Sequence, residues 1–345
     1  LINDAQNAFI DGQMWSSIVL AALQVITAII LAFWAPGFHT ITSEKDEEAL
    51  KNARQSIPAS LMDALDKAAT QRHLLVATDF DGTLAPLVRN PRKAAPIPGS
   101  LEALDTLATI PHTKAAIVSG RDIAGLRKVA PVTRDVTLVG SHGAEISDSD
   151  HELTKHQRDL LKRLIEEVTQ TADSIPGATI EEKKYAVVLH TRTAQDPHEA
   201  KKRTVELEER LSAVPGVTLT RGKKVSEFAV INTTKDAALA SLAARWPTGA
   251  DAILYLGDDV TDEHIFTGLP ARITTPQTEI ITVKVGEGDT AAQYRIANEL
   301  EAAAVLDYLC EQRNHYANAH FTWKDRKQHR KDSRSRARRM AYSAD

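Results

Sequence analysis

Asp79 and Asp81 stand two residues apart at the end of an apolar run, residues 74–78, and Gly82 and Thr83 follow them. A short run that is apolar at nearly every position predicts a strand buried on both faces of a parallel sheet. Side chains alternate along a strand, so both carboxylates leave on the same side if extension continues. Such a pair either holds a cation or marks no more than a strand end with an Asp-Gly turn. Three further clusters favour the cation. Ser119 closes a predicted strand over 114–118, His142 and Glu145 follow one over 136–139, and Asp258, Asp259 and Asp262 follow one over 252–256. In a doubly wound sheet, ligands bind beyond the carboxyl ends of the strands. Gathered there, these carboxylates repel one another unless a divalent ion sits among them. An all-oxygen ligand set favours Mg2+, which fills its shell with waters and phosphate oxygens. A phosphorylated substrate follows, and it needs a positive group. Lys223, Lys224 and Lys235 are candidates. Lys235 is preferred because it starts a predicted helix, whose N-terminus adds its own pull on an anion.

The elements that must position these groups alternate between strand and helix. Strands are predicted at 74–78, 114–118, 136–139, 252–256 and 281–285, with helices at 121–130, 235–246 and 291–310. That rhythm predicts an α/β fold with a mostly parallel sheet and helices on both faces. It changes between 152 and 230. Helices at 151–172 and 197–214 and strands at 186–189, 217–220 and 225–231 read as a small α+β module inserted into the sheet domain. The expected organisation is an N-terminal segment and linker over 1–55, a first core part over 56–151, the insert over 152–230 and a second core part over 231–313. Residues 314–345 are expected to be a disordered basic tail.

Residues 16–34 carry no charge and are bracketed by Trp15 and Trp34, which predicts a transmembrane helix. Asp4 and Asp11 precede the run, and Lys45, Lys51 and Arg54 follow it. The positive-inside rule therefore places the bulk of the chain in the cytoplasm, anchored to the membrane. The 345 residues carry a formal net charge of -4 and one cysteine, Cys310. One cysteine excludes a disulfide framework and a multi-cysteine zinc site. From residue 323 to 345, nine Lys or Arg face three Asp. Basic clusters bind anionic lipid or nucleic acid. Beside a membrane span, lipid is the better expectation, and no nucleic-acid partner is expected.

Asp79-x-Asp81-Gly82-Thr83, then Ser119, then Lys235, then Gly257-Asp258-Asp259-x-x-Asp262 resemble the motifs of the haloacid dehalogenase superfamily of phosphatases, over residues 73–310. The resemblance implies a Rossmann-like core with an inserted cap. It implies Asp79 as nucleophile and Asp81 as general acid and then base. Asp79, Asp258 and the backbone carbonyl of Asp81 would hold Mg2+, with Ser119 and Lys235 on the phosphoryl oxygens. These roles suit the groups, since a carboxylate needs no base to become a nucleophile and phosphoryl transfer asks chiefly for alignment and charge neutralisation. Residues 79–86, 118–121, 140–145 and 257–263 are similar to stretches of the trehalose-6-phosphate phosphatases. That similarity implies hydrolysis of trehalose 6-phosphate, with Thr83, Gly120, Arg121, His142, Gly143, Glu145, Asp259 and Asp262 around the substrate. In the insert, Glu181, Lys183, His190, Arg192 and Glu227 match a cap pattern. Glu181, Lys183 and Glu227 would reach the distal sugar. Thr191, Asp236 and the pair Ala229 and Val230 depart from the pattern. Two alternatives stand beside this expectation. One is another sugar phosphate, such as sucrose 6-phosphate or glucosylglycerate phosphate. The other is a low-turnover tethered scaffold for a trehalose-6-phosphate synthase, which is also the protein partner expected.

Overall fold

The computed structural model describes residues 44–149, 153–231, 233–273, 275 and 277–342. The predicted membrane span at 16–34 lies outside the described residues, among which no helix is long and apolar enough to cross a membrane. The chain opens with α1 (Glu44–Gln55) and α2 (Ala59–Ala69), then alternates β1 (Leu74–Thr78), α3 (Ser100–Thr109), β2 (Thr113–Val118), α4 (Ile123–Val129), β3 (Thr137–Gly140) and β4 (Glu145–Ile146). The insert holds α5 (Lys155–Asp173), β5 (Thr179–Glu182), β6 (Ala186–His190), α6 (Pro197–Ser212), β7 (Thr218–Gly222) and β8 (Val225–Ala229). The chain returns through α7 (Lys235–Ala243), β9 (Ala252–Gly257), α8 (Val260–Arg272), β10 (Glu279–Val285), β11 (Tyr294–Ile296), α9 (Glu299–His320) and α10 (Trp323–Tyr342).

Seven strands form the main sheet in the order β11-β10-β9-β1-β2-β3-β4, parallel except for the β3–β4 edge. All five residues of β1 are buried, as an apolar run between two helical layers requires. Leu74 and Val76 pack with α2, α3 and α9, while Leu75 and Ala77 pack with α7 and α8. Register sets Thr78 beside Ile117 of β2 and Leu256 of β9. The residues that follow these strands therefore leave the sheet side by side, and Asp79, Ser119 and Asp258 are among them.

The insert is a four-stranded antiparallel sheet, β5-β6-β8-β7. One face, with Val187, Leu189 and Phe228, packs on Leu164, Val168, Leu207 and Leu211 of α5 and α6. Thr154 and Gln157 cap α5 reciprocally, which fixes where the insert's first helix begins. Glu181, Val188 and Glu227 are in register across three strands, so they share the face turned away from those helices.

Three expectations are corrected. Residues 44–55 of the supposed linker are α1, held by Ala53 in the core, by Leu50 packed against it and by an Arg54–Glu311 ion pair of 2.7 Å. The helix expected at 291–310 is broken. Residues 294–296 pair with β10, and Asn298 then caps α9 by accepting the Glu301 amide at 3.0 Å. The supposed disordered tail is helical. Residues 314–320 continue α9, and α10 docks through one polar face on which every fourth residue reaches the body. Asp325 meets His112 at 2.8 Å, His329 the Ala108 carbonyl at 3.0 Å and Ser333 Asp135 at 2.6 Å. Low apolar content misled the reading because this helix is held by hydrogen bonds rather than by buried hydrocarbon.

Candidate active site

The Asp79 amide donates to the Leu256 carbonyl at 2.9 Å, extending the β1–β9 ladder one residue past the strand. Its carboxylate therefore enters the gap between the two strand ends. Lys235, the first residue of α7, places its ammonium 3.0 Å from Asp79 and 2.8 Å from Asp262. Asp262 is saturated within the protein. It also accepts the Tyr255 hydroxyl at 2.8 Å and the amides of Asp258 and Asp259 at 3.0 and 3.1 Å. Arg121 grips Asp81 with a fork of 2.6 and 2.5 Å and donates its remaining terminal nitrogen to the Pro91 carbonyl at 2.9 Å. Thr83 donates to the Asp258 carboxylate at 3.2 Å, and the Lys284 ammonium donates to the Asp258 main-chain carbonyl.

Gly82 has φ +81°, and a Cβ there would lie 2.0 Å from the Asp258 carboxylate. Only glycine lets that carboxylate approach. Oxygens of Asp79, Asp258 and Asp262 lie within 4.8 Å of one another, but those of Asp262 are already taken by Lys235, Tyr255 and two amides, which leaves Asp79 and Asp258 to face an ion. Burial pushes Asp79 up to about 8 against the pull of Lys235, with the negative charge of Asp262 adding to the rise. Burial, then the charge of Asp262, pushes Asp258 up to about 6. Lys235 is disfavoured as a cation by burial, yet Asp79 and Asp262 together hold it above the usual lysine range. Five carboxylates, Asp79, Asp81, Asp258, Asp259 and Asp262, meet three cations, Arg121, Lys235 and Lys284. With every group ionised the balance is two negative charges, which a divalent ion would neutralise. An ion between Asp79 and Asp258 would also reverse the rise in their pKa values. The donor set fits a hard divalent cation.

Of the predicted residues, Asp79, Asp81, Ser119, Gly120, Arg121, His142, Lys235, Asp258 and Asp259 line one cleft of 520 Å³. Four others do not line it. Asp262 has no oxygen to spare, and Thr83 is fully buried on Asp258. Glu145 accepts the Ser141 hydroxyl at 2.6 Å, and Gly143 packs its α-carbon against the Thr234 carbonyl. These four support the wall from behind. The cap residues form pairs of their own outside the lining, Lys183–Glu227 at 2.6 Å and Glu181–His190 at 3.1 Å. Arg192 lies beyond β6, also outside the lining. His142 is the link between the two regions. Burial, and then the charge of Lys235, hold its imidazole below its ordinary pKa, with Glu227 and Lys183 of the cap also acting on it. Its backbone is left-handed at φ +53°, and its ring lies where a Cβ on Gly120 would be. Asp236, which departs from the family pattern, is accommodated by an ion pair with Arg272.

Sequence reasoning missed Lys284, Tyr255 and an apolar rim, where Leu87 and Val88 line the cleft and Val260 stands exposed beside it. Lys284 carried a readable signal, a charge near the end of the apolar stretch 280–285. The rim carried none, because exposed apolar residues in loops are common.

Two acids beyond a central parallel strand, a serine beyond its neighbour, a lysine heading a helix and a second acidic loop across the gap define a phosphatase of the haloacid dehalogenase type. The trehalose-phosphatase profile matches residues 77–299, and the chain belongs to that family. It is 30% identical over 298 residues to the trehalose-phosphate phosphatase of Mycobacterium tuberculosis, covering 80% of this chain and 72% of that one. It is 32% identical over 286 residues to the bifunctional trehalose-6-phosphate synthase/phosphatase of Thermoproteus tenax, covering 79% and 37%. Among solved structures, the trehalose-6-phosphate phosphatase of Aspergillus fumigatus matches with a TM-score of 0.54 at 28% identity, over 72% of this chain and 97% of that one. The chain spans 37% and 72% of the length of these two curated relatives and 19% of another that it matches.

Proposed function

We propose that this chain hydrolyses trehalose 6-phosphate to trehalose and phosphate, with Asp79 as the nucleophile and Mg2+ as the divalent ion. The observation that carries the reading is the position of Asp79, with an oxygen within 4.8 Å of Asp258 and held by Lys235 at the carboxyl ends of β1 and β9. An Asp79 oxygen attacks phosphorus as the bond from phosphorus to the sugar oxygen breaks, and the Asp81 carboxyl gives its proton to that oxygen. Asp81, now a carboxylate, takes a proton from water. The water oxygen attacks the phosphorus of the aspartyl-phosphate, freeing phosphate and restoring Asp79. Arg121 grips Asp81 as a carboxylate in the substrate-free protein, so that fork must open before Asp81 can act as an acid. Lys235 and Ser119 orient the phosphoryl oxygens. Asp79, Asp258 and the Asp81 carbonyl would hold Mg2+, which when bound supplies charge neutralisation at the phosphoryl group. Glu181, Lys183 and Glu227 bind the distal sugar once the cap pairs open.

Three further elements of the reading are the membrane anchor at 16–34, cytoplasmic placement of the catalytic part and association with a trehalose-6-phosphate synthase. The bifunctional relative supports the last of these. Carbonate-wash fractionation tests the anchor, and release of the full chain into the soluble fraction removes it. The activity is tested by phosphate release with Mg2+ from trehalose 6-phosphate, sucrose 6-phosphate, glucose 6-phosphate and mannose 6-phosphate. A strong preference for the first, lost in Asp79→Asn, is expected. Preference for another sugar keeps the mechanism and discards the cap assignment.

A further inference from the structure

Lys284 is a buried cation that the reaction written above does not use. It lies near the end of β10, in register with Gly257 of β9, and is 5% exposed. Lysines are rarely buried, and when they are a carboxylate usually compensates the charge. Here the ammonium donates to a main-chain carbonyl, that of Asp258, while its charge also favours the ionised Asp258 carboxylate. β9 ends at Gly257 and α8 starts at Val260, so Asp258 and Asp259 are the whole connection between them. That connection is held from three sides. Asp262 of α8 takes the amides of Asp258 and Asp259, and Thr83 beyond β1 takes the Asp258 carboxylate. Lys284 of β10 takes the carbonyl. Together these contacts fix the peptide units on both sides of Asp258. With the carbonyl released, the peptide that follows Asp258 could turn, and the carboxylate would lose its aim at Asp79.

We propose that Lys284 is a positioning residue that braces the Asp258 main chain and thereby sets affinity for the divalent ion, on the reading above that Asp79 and Asp258 hold that ion. Two consequences of removing Lys284 have opposite signs. As a bare positive charge it repels a metal ion, so its loss would tighten binding. As a brace its loss loosens a ligand, and contacts that orient metal ligands are typically worth about 10- to 100-fold in affinity. The hydrogen bond to the carbonyl makes the brace dominant.

The test is binding of Mn2+ to the full chain, followed by electron paramagnetic resonance, in the wild type, Lys284→Met and Lys284→Gln. Binding is expected to weaken about tenfold or more in Lys284→Met, with Lys284→Gln between, since its amide can still donate. Phosphatase activity of Lys284→Met should return as Mg2+ is raised, which a general loss of structure would not allow. Unchanged or tighter Mn2+ binding in Lys284→Met overturns the brace. So does an activity loss that Mg2+ leaves unrepaired while Mn2+ affinity stays at the wild-type level. Should Lys284→Met fail to fold, the same comparison is read from Lys284→Gln. Absence of Mn2+ binding in the wild type, or full binding in Asp258→Asn, instead removes the metal-site reading and the brace with it.

Discussion

Lys235 and Lys183 each hold a carboxylate within 3.0 Å, yet they belong to different kinds of structure. Lys235 is shared by Asp79 and Asp262 in a packed wall at the ends of parallel strands, and its two partners come from separate places, the end of β1 and α8. Lys183 pairs with Glu227, on an antiparallel sheet whose other face does the packing. In the wall, neither Asp79 nor Asp262 can leave Lys235 without leaving a buried charge uncompensated. On the cap, a pair can open and each member can find water or a hydroxyl instead. The wall suits chemistry that must be placed accurately, and the cap suits a partner that arrives and leaves.

The largest expected effect breaks the wall at its centre. Asp79→Asn should lower phosphate release by at least about 10^4-fold, as removal of a nucleophile does. Lys235→Met should abolish activity and also destabilise the fold by about 3–5 kcal/mol, because Asp79 and Asp262 would be left buried without their cation. Thermal melting with and without the substitution measures this, and an unchanged midpoint would show that the wall tolerates the loss. On the cap, Lys183→Met and Glu227→Gln should each raise KM for trehalose 6-phosphate by about tenfold, from a lost charge-assisted hydrogen bond. Turnover of acetyl phosphate, which has no distal sugar, should stay the same. Equal losses on both substrates would erase the distinction between wall and cap.

His142 gives the pH arm of the comparison. Its folded pKa lies below the unfolded value of about 6.5, so the folded state prefers the neutral ring. The stability it contributes is present above about pH 6.5 and lost as pH falls through the folded pKa. Denaturant midpoints should therefore fall less steeply on acidification in His142→Gln than in the wild type. The smallest effect is expected from truncation after residue 322. α10 docks through a few hydrogen bonds, each worth about 0.5–1.5 kcal/mol net, so the melting point should drop by only a few degrees and activity should persist.

The wall was legible from sequence because burial and charge conflict there. A run such as residues 74–78 fixes a strand, and an acid directly after it needs a reason. The same conflict was present at Lys284 and went unread, since a single lysine in a strand also fits an exposed edge position. Asp262 shows what spacing cannot tell. Its place in the motif was plain, but whether its oxygens face outward or close on Lys235 and Tyr255 depends on how α8 lies against α7. The elements misread were those whose local pattern is weak. β11 has three residues, α1 is highly charged, and α10 lacks an apolar stripe.

Arg313 sets the order in which the chain can be completed. Fully buried on α9, it donates to the carbonyls of Ala69, Gln71 and Arg72 and to the Thr113 hydroxyl, groups roughly 200 to 244 residues earlier. During synthesis the turn between α2 and β1 leaves the ribosome long before the guanidinium that satisfies it. Until α9 emerges, those carbonyls stay open to water, and the helical layer between α1 and α3 lacks its central member. The nascent chain is thus held short of its native state until α9 is made, a window in which chaperones and proteases have first access to it.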